Sequence, residues 1–162
     1  MDHDGIVRVC TACRPVWRLR GAVVRGQARG RDLGFPTANL GEAAWAGQSR
    51  LPRHGVYIGW AAISSRPGVA YKAMVSVGDN PSFGSDNSVT IEAYLCNEFS
   101  KDFYGDTMSL LIVARIRDMM RISFDQLVRA IRNDTAFGTM ALDQPEFAQL
   151  RDDPWLFGMN DQ

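Results

Sequence analysis

Lysine is scarce in this chain. The 162 residues carry 18 Lys+Arg, yet only Lys72 and Lys101 are lysines. Neither follows a glycine-rich turn, which excludes a Walker-type phosphate loop with its Gly-Lys-Ser/Thr ending. An excess of one charge is lacking too, because 18 Asp+Glu balance the cations. A general nucleic-acid binder needs a strong basic excess, so the balance argues against that class. Long apolar runs are missing: no stretch approaches the roughly 18 uninterrupted apolar residues of a membrane helix. The opening MDHDGIVRVC is acidic and has neither the basic head nor the apolar run of a signal peptide. A cytoplasmic protein is expected. The only cysteines are Cys10, Cys13 and Cys96, and the only histidines His3 and His54. Cys10 and Cys13 form a lone C-x-x-C, whereas a zinc site wants a second pair. A thioredoxin-like motif wants a strand before it and a helix after it, and Pro15 follows almost at once. Reduced, structurally incidental thiols are expected.

What remains is ordinary globular material, 46% hydrophobic and 22% charged, of a length that suits one domain. Residues 1–15 read as a poorly structured leader. A strand is expected over 17–24, then a glycine- and arginine-rich loop, RGQARGRDLGFP, over 25–36. After a second loop (41–54), GVYIGWAAI (55–63) and YKAMVSVG (71–78) read as strands by their Val, Ile, Tyr and Trp content. In VTIEAYL (89–95) alternation puts Val89, Ile91, Ala93 and Leu95 on one face and Thr90, Glu92 and Tyr94 on the other. TMSLLIVARIR (107–117) is apolar on both faces and therefore central. The period then changes. Phe124, Leu127, Val128 and Ile131 follow helical spacing, and Ser123 with Gln126 makes a capping-box pattern. Residues 135–162 read as a tail that adds a short helix or lies across the surface. Short strands, turn signals and one late helix indicate a small antiparallel barrel with a C-terminal helix. A parallel nucleotide-binding sheet would need helices between its strands.

Three features carry chemistry. In GAVVRGQARGRDLGFPTANL (21–40), Gly26, Gly30 and Gly34 let backbone amides approach an anion. Arg25, Arg29 and Arg31 supply charge suited to phosphate oxygens. Thr37 and Asn39 are two apart, so in an extended segment they point the same way. A hydroxyl and an amide oxygen side by side can complete the shell of a hydrated Mg²⁺ whose other ligands are phosphates. A turn-rich hairpin with solvated arginines would have the same composition. Glu92 lies mid-strand opposite the apolar set, where a carboxylate serves as general base for a hydroxyl or simply faces solvent. In NEFSKDFYGD (97–106), Tyr104 sits in a compact turn, placed to pack on a planar ring or to cover the core.

Taken together these runs resemble the riboflavin kinase (flavokinase) family, including the kinase half of bacterial bifunctional FAD synthetases. GAVVRGQARGRDLGFPTANL, HGVYIGWAAI, MVSVGDNPSFG, VTIEAYLCNEFSKDFYGD and RIRDMMRISFDQLVRAIRND occur in family order over residues 16–134. The resemblance implies a six-stranded antiparallel Greek-key barrel with a C-terminal helix. It implies transfer of the ATP γ-phosphate to the 5′-hydroxyl of riboflavin, giving FMN and ADP. Thr37 and Asn39 would then coordinate Mg²⁺ and the phosphates, and Glu92 would be the catalytic base. Gly26, Gly30 and Arg31 would cover the nucleotide. Leu95, Asn97 and Tyr104 would line the adenine side, and Arg117, Met120 and Ile122 the flavin side. Small-molecule substrates, no nucleic acid, no membrane and a monomeric state complete the expectation.

The sequence departs from the family pattern after the last strand. Leu-Arg-x-Glu and an aromatic are usual there, whereas this chain has Ile116, Arg117, Asp118, Met119 and, at the aromatic position, Ile122. A carboxylate and a ring are replaced by apolar groups. The alternative reading is a catalytically weak module that binds flavin or FMN as buffer or sensor. No nucleotidyltransferase segment precedes the match, so no FAD synthesis is expected. The charge balance conceals an asymmetry: every charged residue from Arg8 to Arg31 is an arginine.

Overall fold

Strands rich in β-branched and aromatic residues, separated by turns, must pair with one another to satisfy their backbones. In a computed structural model that describes residues 3–25, 34, 35, 37–79, 89–97, 99 and 101–158, they do so by closing into a barrel. The strands are β1 (Thr11–Val24), β2 (Ala38–Leu40), β3 (Gly55–Ile63), β4 (Tyr71–Asp79), β5 (Val89–Leu95) and β6 (Thr107–Arg117). Their order around the wall is β1-β2-β5-β4-β3-β6, and every adjacent pair is antiparallel. β3, β4 and β5 are consecutive neighbours and β6 returns beside β3, which is a Greek key. β6 is buried along nearly its whole length, as its two-faced apolar run predicts. β2, only three residues long, carries no strand signal of its own, and is a strand because β1 and β5 flank it.

Alternation gives the barrel two cores. Inward residues, among them Leu19, Val23, Val75, Val77, Ile91, Ala93, Leu110 and Ile112, fill the interior. Outward residues of β3, β4 and β6 form a second cluster with the C-terminal segments. That cover is the helix α1 (Phe124–Leu142), the short helix α2 (Pro145–Ala148) and two 3₁₀ turns, Gln149–Asp152 and Pro154–Phe157. α1 starts at the expected capping box, with Gln126 N donating to Ser123 Oγ (3.3 Å) and Ser123 N to Gln126 Oε1 (2.9 Å). Trp60 Nε1 donates to the Phe147 carbonyl at 3.0 Å, fixing α2 on the barrel. Among the described residues no helix is long and apolar enough to cross a membrane.

The structure differs from the sequence reading at both ends. The helix does not stop near residue 134 but runs to Leu142, so part of the expected tail belongs to it. Its buried face is also rotated: Phe124 is 63% exposed, while Ala130, Asn133, Asp134, Gly138 and Leu142 are buried. Small residues win there because the barrel comes close; a Cβ at Gly138 would stand 2.5 Å from Met74 Sδ and 2.7 Å from Ile58 Cγ2. The expected leader is held as well. β1 begins at Thr11, with its register shift around Pro15, which has no N–H to give. Val9 N donates to the Ile116 carbonyl at 3.0 Å. Arg8 bonds both Asp4 (2.7 Å) and Asp134 (2.8 Å), and all three side chains are buried. The leader's arginine is thus drawn in by acids on both sides.

Two predictions follow from this packing. Gly59 crosses β6 so closely that a Cβ would lie 2.1 Å from the Leu111 carbonyl oxygen. Gly59→Ala should therefore lose about 1–3 kcal/mol in denaturant melts, and an unchanged midpoint would contradict the close crossing. Hydrogen bonds from Arg8 hold the Asp4 carboxyl well below the usual carboxylate range. A depressed folded pKa contributes stability that is present above the unfolded value and lost as pH falls through the folded one. Asp4→Asn should destabilise the protein at pH 7, with the gap from the parent narrowing below about pH 4. Urea melts from pH 7 to 3 with a constant gap would rule this out.

Candidate functional site

The outer face of β5 carries the site. Ile91, Ala93 and Leu95 point into the core, so Thr90, Glu92 and Tyr94 face outward as alternation requires. Asn39 on β2 is the register partner of Glu92, and Ser76 on β4 is its partner on the other side. Thr37, just before β2, donates from Oγ1 to Glu92 Oε2 at 3.4 Å. Hydroxyl, amide and carboxylate oxygens from residues 37, 39 and 92 therefore share one half-buried patch. Asn39 is 7% exposed, a depth at which an amide is held in one geometry. Phe35 meets Tyr94 edge to face on the same side, ring centroids 5.5 Å apart.

Next to this patch the chain brings two further predicted groups together. Val24 pairs with Asn39 in register, so Arg25 leaves the barrel directly beside the oxygens. Its guanidinium lies over the Tyr104 ring at 5.0 Å. Tyr104 is held there by backbone bonds between the 103–106 turn and β1, Val23 N to Asp106 O (2.8 Å) and Gly105 N to Val23 O (3.0 Å). Gly105 has φ 86°, which the turn closed by Asp106 N and Phe103 O demands. Leu95 is in the inner core and so forms wall rather than surface. Asn97 is exposed just beyond it, with its N–H bonded to the Leu95 carbonyl at 2.7 Å. Gly26, Gly30 and Arg31 lie outside the described residues.

The expected flavin-side residues start from the opposite wall, since β6 does not adjoin β5. Arg117 is buried, with Nε and Nη2 donating to the two oxygens of Asp134 at 2.8 and 2.9 Å. Beyond it the 118–122 segment turns back over the barrel. Met119 Cε lies 3.5 Å from where a side chain at Gly78 would begin, and Gly78 pairs with Thr90 on the site strand. Met119 and Met120 are 46% and 47% exposed, and Ile122 is half-buried. An apolar segment and the oxygen patch thus share one side of the molecule.

Ser76 and the acid at 134 escaped the sequence reading. Ser76 was legible from alternation within YKAMVSVG. Asp134 falls three residues after Ile131, and an acid in an apolar stripe signals a buried partner. The C-x-x-C is no pair: Cys10 packs in the outer cluster and Cys13 against the inner core, on opposite sides of the strand. Burial pushes the Cys13 and Cys96 thiols up to about 11, away from the thiolate that metal or redox chemistry needs.

The chain and its fold are similar to known proteins of one family. A family model described as "Flavokinase: Riboflavin kinase" matches residues 14–142. The chain is 39% identical over 142 residues to the bifunctional riboflavin kinase/FMN phosphatase of Arabidopsis thaliana, which spans 86% of this chain but 37% of that protein. It is 36% identical over 136 residues to the riboflavin kinase of Mus musculus, spanning 83% of this chain and 86% of the relative. The solved riboflavin kinase of Trypanosoma brucei superposes with a TM-score of 0.66 at 27% identity, covering 85% of this chain and 87% of that one. With the family matched over most of its length and the fold shared, this chain belongs to the riboflavin kinase family.

Proposed function

We propose that this protein transfers the γ-phosphoryl group of ATP to the 5′-hydroxyl of riboflavin, giving FMN and ADP. The observation that carries the reading is the convergence of Thr37, Asn39 and Glu92 on one face of two paired strands. Glu92 accepts the proton of the ribityl hydroxyl as that oxygen bonds to phosphorus and the bond to the ADP oxygen breaks. Its carboxylate is held beside the hydroxyl and amide, so the base and the phosphate-binding groups are positioned together. Arg25 on Tyr104 marks where the cationic loop leaves the barrel, and the following Gly26, Gly30 and Arg31 would cover the nucleotide. Asn97 and Tyr104 form the adenine side, with Leu95 in the wall behind them. Met119, Met120 and Ile122 offer polarisable apolar surface to an isoalloxazine ring, in place of the family's usual carboxylate and aromatic.

The donor set suits Mg²⁺: a hydroxyl and an amide oxygen are both hard oxygen ligands. Thr37 and Asn39 would hold it between the protein and the phosphates. When bound, the metal neutralises charge on the transferring group. The chain's own contribution is placement, since a loose phosphoryl-transfer transition state asks for positioning and charge rather than covalent help.

Incubation with riboflavin, ATP and Mg²⁺ followed by chromatography should show FMN, and none above background would sink the reading. Glu92→Gln should keep flavin binding and lose roughly 10²–10⁴-fold in kcat. Normal turnover in that variant would remove Glu92 as the base.

A further inference from the structure

The buried charges around the middle of α1 reach the segment just assigned to the flavin. Asp134 is the hub. Its Oδ1 accepts from Arg8 Nε and from Arg117 Nε, each at 2.8 Å, and its Oδ2 from Arg117 Nη2 at 2.9 Å. Arg8 turns its remaining nitrogens to Asp4 (3.1 and 2.7 Å) and to the carbonyls of Ala130 (3.1 Å) and Ile6 (3.4 Å). Asn133 also bonds Asp4. Arg117 spends its last nitrogen, Nη1, on the Asp118 carbonyl at 3.0 Å. A continuous set of hydrogen bonds therefore runs from the leader, through the helix, to the first carbonyl of 118–122. The side chains of Asp4, Arg8, Asp134 and Arg117 are each only 5–7% exposed.

Burying two arginines and two aspartates is an expensive way to hold a helix. Apolar residues of similar volume often do it as well or better. Barrel closure does not call on these charges, because the β1–β6 ladder starts at Thr11 and the leader adds to it only the Val9 N bond to the Ile116 carbonyl. What the charges do specifically is fix the backbone where β6 ends. The same segment is held further on by Met119 over Gly78, and at Asp118 by a 2.8 Å ion pair to Arg115.

We infer that Asp134, seated by Arg8 and Asp4, is a positioning residue for flavin binding, and that the leader is thereby part of the flavin end of the site. This rests on the riboflavin kinase reading above. Arg117 acts through this pair, holding the segment rather than touching the ring. The nucleotide end, on β2 and β5, does not share these contacts. Weakening the set should loosen 118–122 and raise the riboflavin KM while leaving the ATP KM alone.

The test uses the full chain with Arg8→Gln and, as the milder change that leaves Arg8 on Asp134, Asp4→Asn. Steady-state kinetics would be paired with hydrogen exchange at the 118–122 amides. Arg8→Gln should raise the riboflavin KM roughly fivefold, with the ATP KM and kcat within about twofold, the scale expected for a contacting network. Exchange at 118–122 should quicken while β3 and β6 interior amides hold. Should Arg8→Gln fail to fold, Asp4→Asn must show the same pattern in smaller measure. Equal rises in both KM values, or unchanged exchange with an unchanged riboflavin KM, would overturn the inference. Absence of FMN from the parent protein would instead sink the kinase reading, and faster exchange in the variants would then still uphold the hold on 118–122.

Discussion

The structure depends on one strand being satisfied along both edges. β6 is apolar on both faces, and its backbone is paired with β1 on one side and β3 on the other. It gives Leu110 and Ile112 to the interior and Leu111 and Val113 to the outer cluster. The two cores are therefore fastened to each other through a single strand. Were its pairing with β1 lost, the sheet would present two open edges, and β2 would be left on a wall it is too short to maintain. The oxygen patch is a beneficiary. Its geometry comes from the direct pairing of β2 with β5, and closure on the far side keeps β2 held between β1 and β5.

Much of this was legible in the residues. Period-two alternation placed Glu92 outside and Ile91 and Ala93 inside, because one buried face fixes strand register strongly. The capping box located the start of the helix, since Ser123 and Gln126 encode their reciprocal bonds locally. Thr37 and Asn39 could be put on one side of an extended segment, though not beside Glu92, since β2–β5 pairing joins residues far apart in sequence. β2 itself was illegible: three residues carry no period. The helix face is legible only in part: Leu127, Val128 and Ile131 are half-buried as their spacing suggests, Phe124 is exposed, and the barrel's close approach selects Ala130 and Gly138 for full burial. The leader was misjudged for a related reason. Nothing in its own residues names a distant partner for Arg8, and only the fold reveals the acid on the helix that draws it inward.

The charge asymmetry of the first third also takes on meaning. The arginines of the leader and β1 do not form one cationic surface. Arg8 is buried on Asp134, Arg14 pairs with Glu146, and Arg18 with Asp153. Arg20 lies over the Trp155 ring at 4.4 Å and bonds Ser109 Oγ. These contacts bind the N-terminal strand to the C-terminal cover. A zero net charge here reflects acids placed late in the chain to meet bases placed early.

The alternation of β5 has a consequence for how such a protein can change over time. Folding and the proposed chemistry are written on odd and even residues of the same seven-residue strand. Inward positions can be exchanged for other apolar groups with little effect on the outward carboxylate, and outward positions can be retuned without disturbing the core. Length is another matter. Adding or removing one residue within β5 would exchange the two faces, burying Glu92 and exposing Ile91. The strand is thus permissive to substitution and intolerant of insertion, and variation in length must be confined to the loops that flank it.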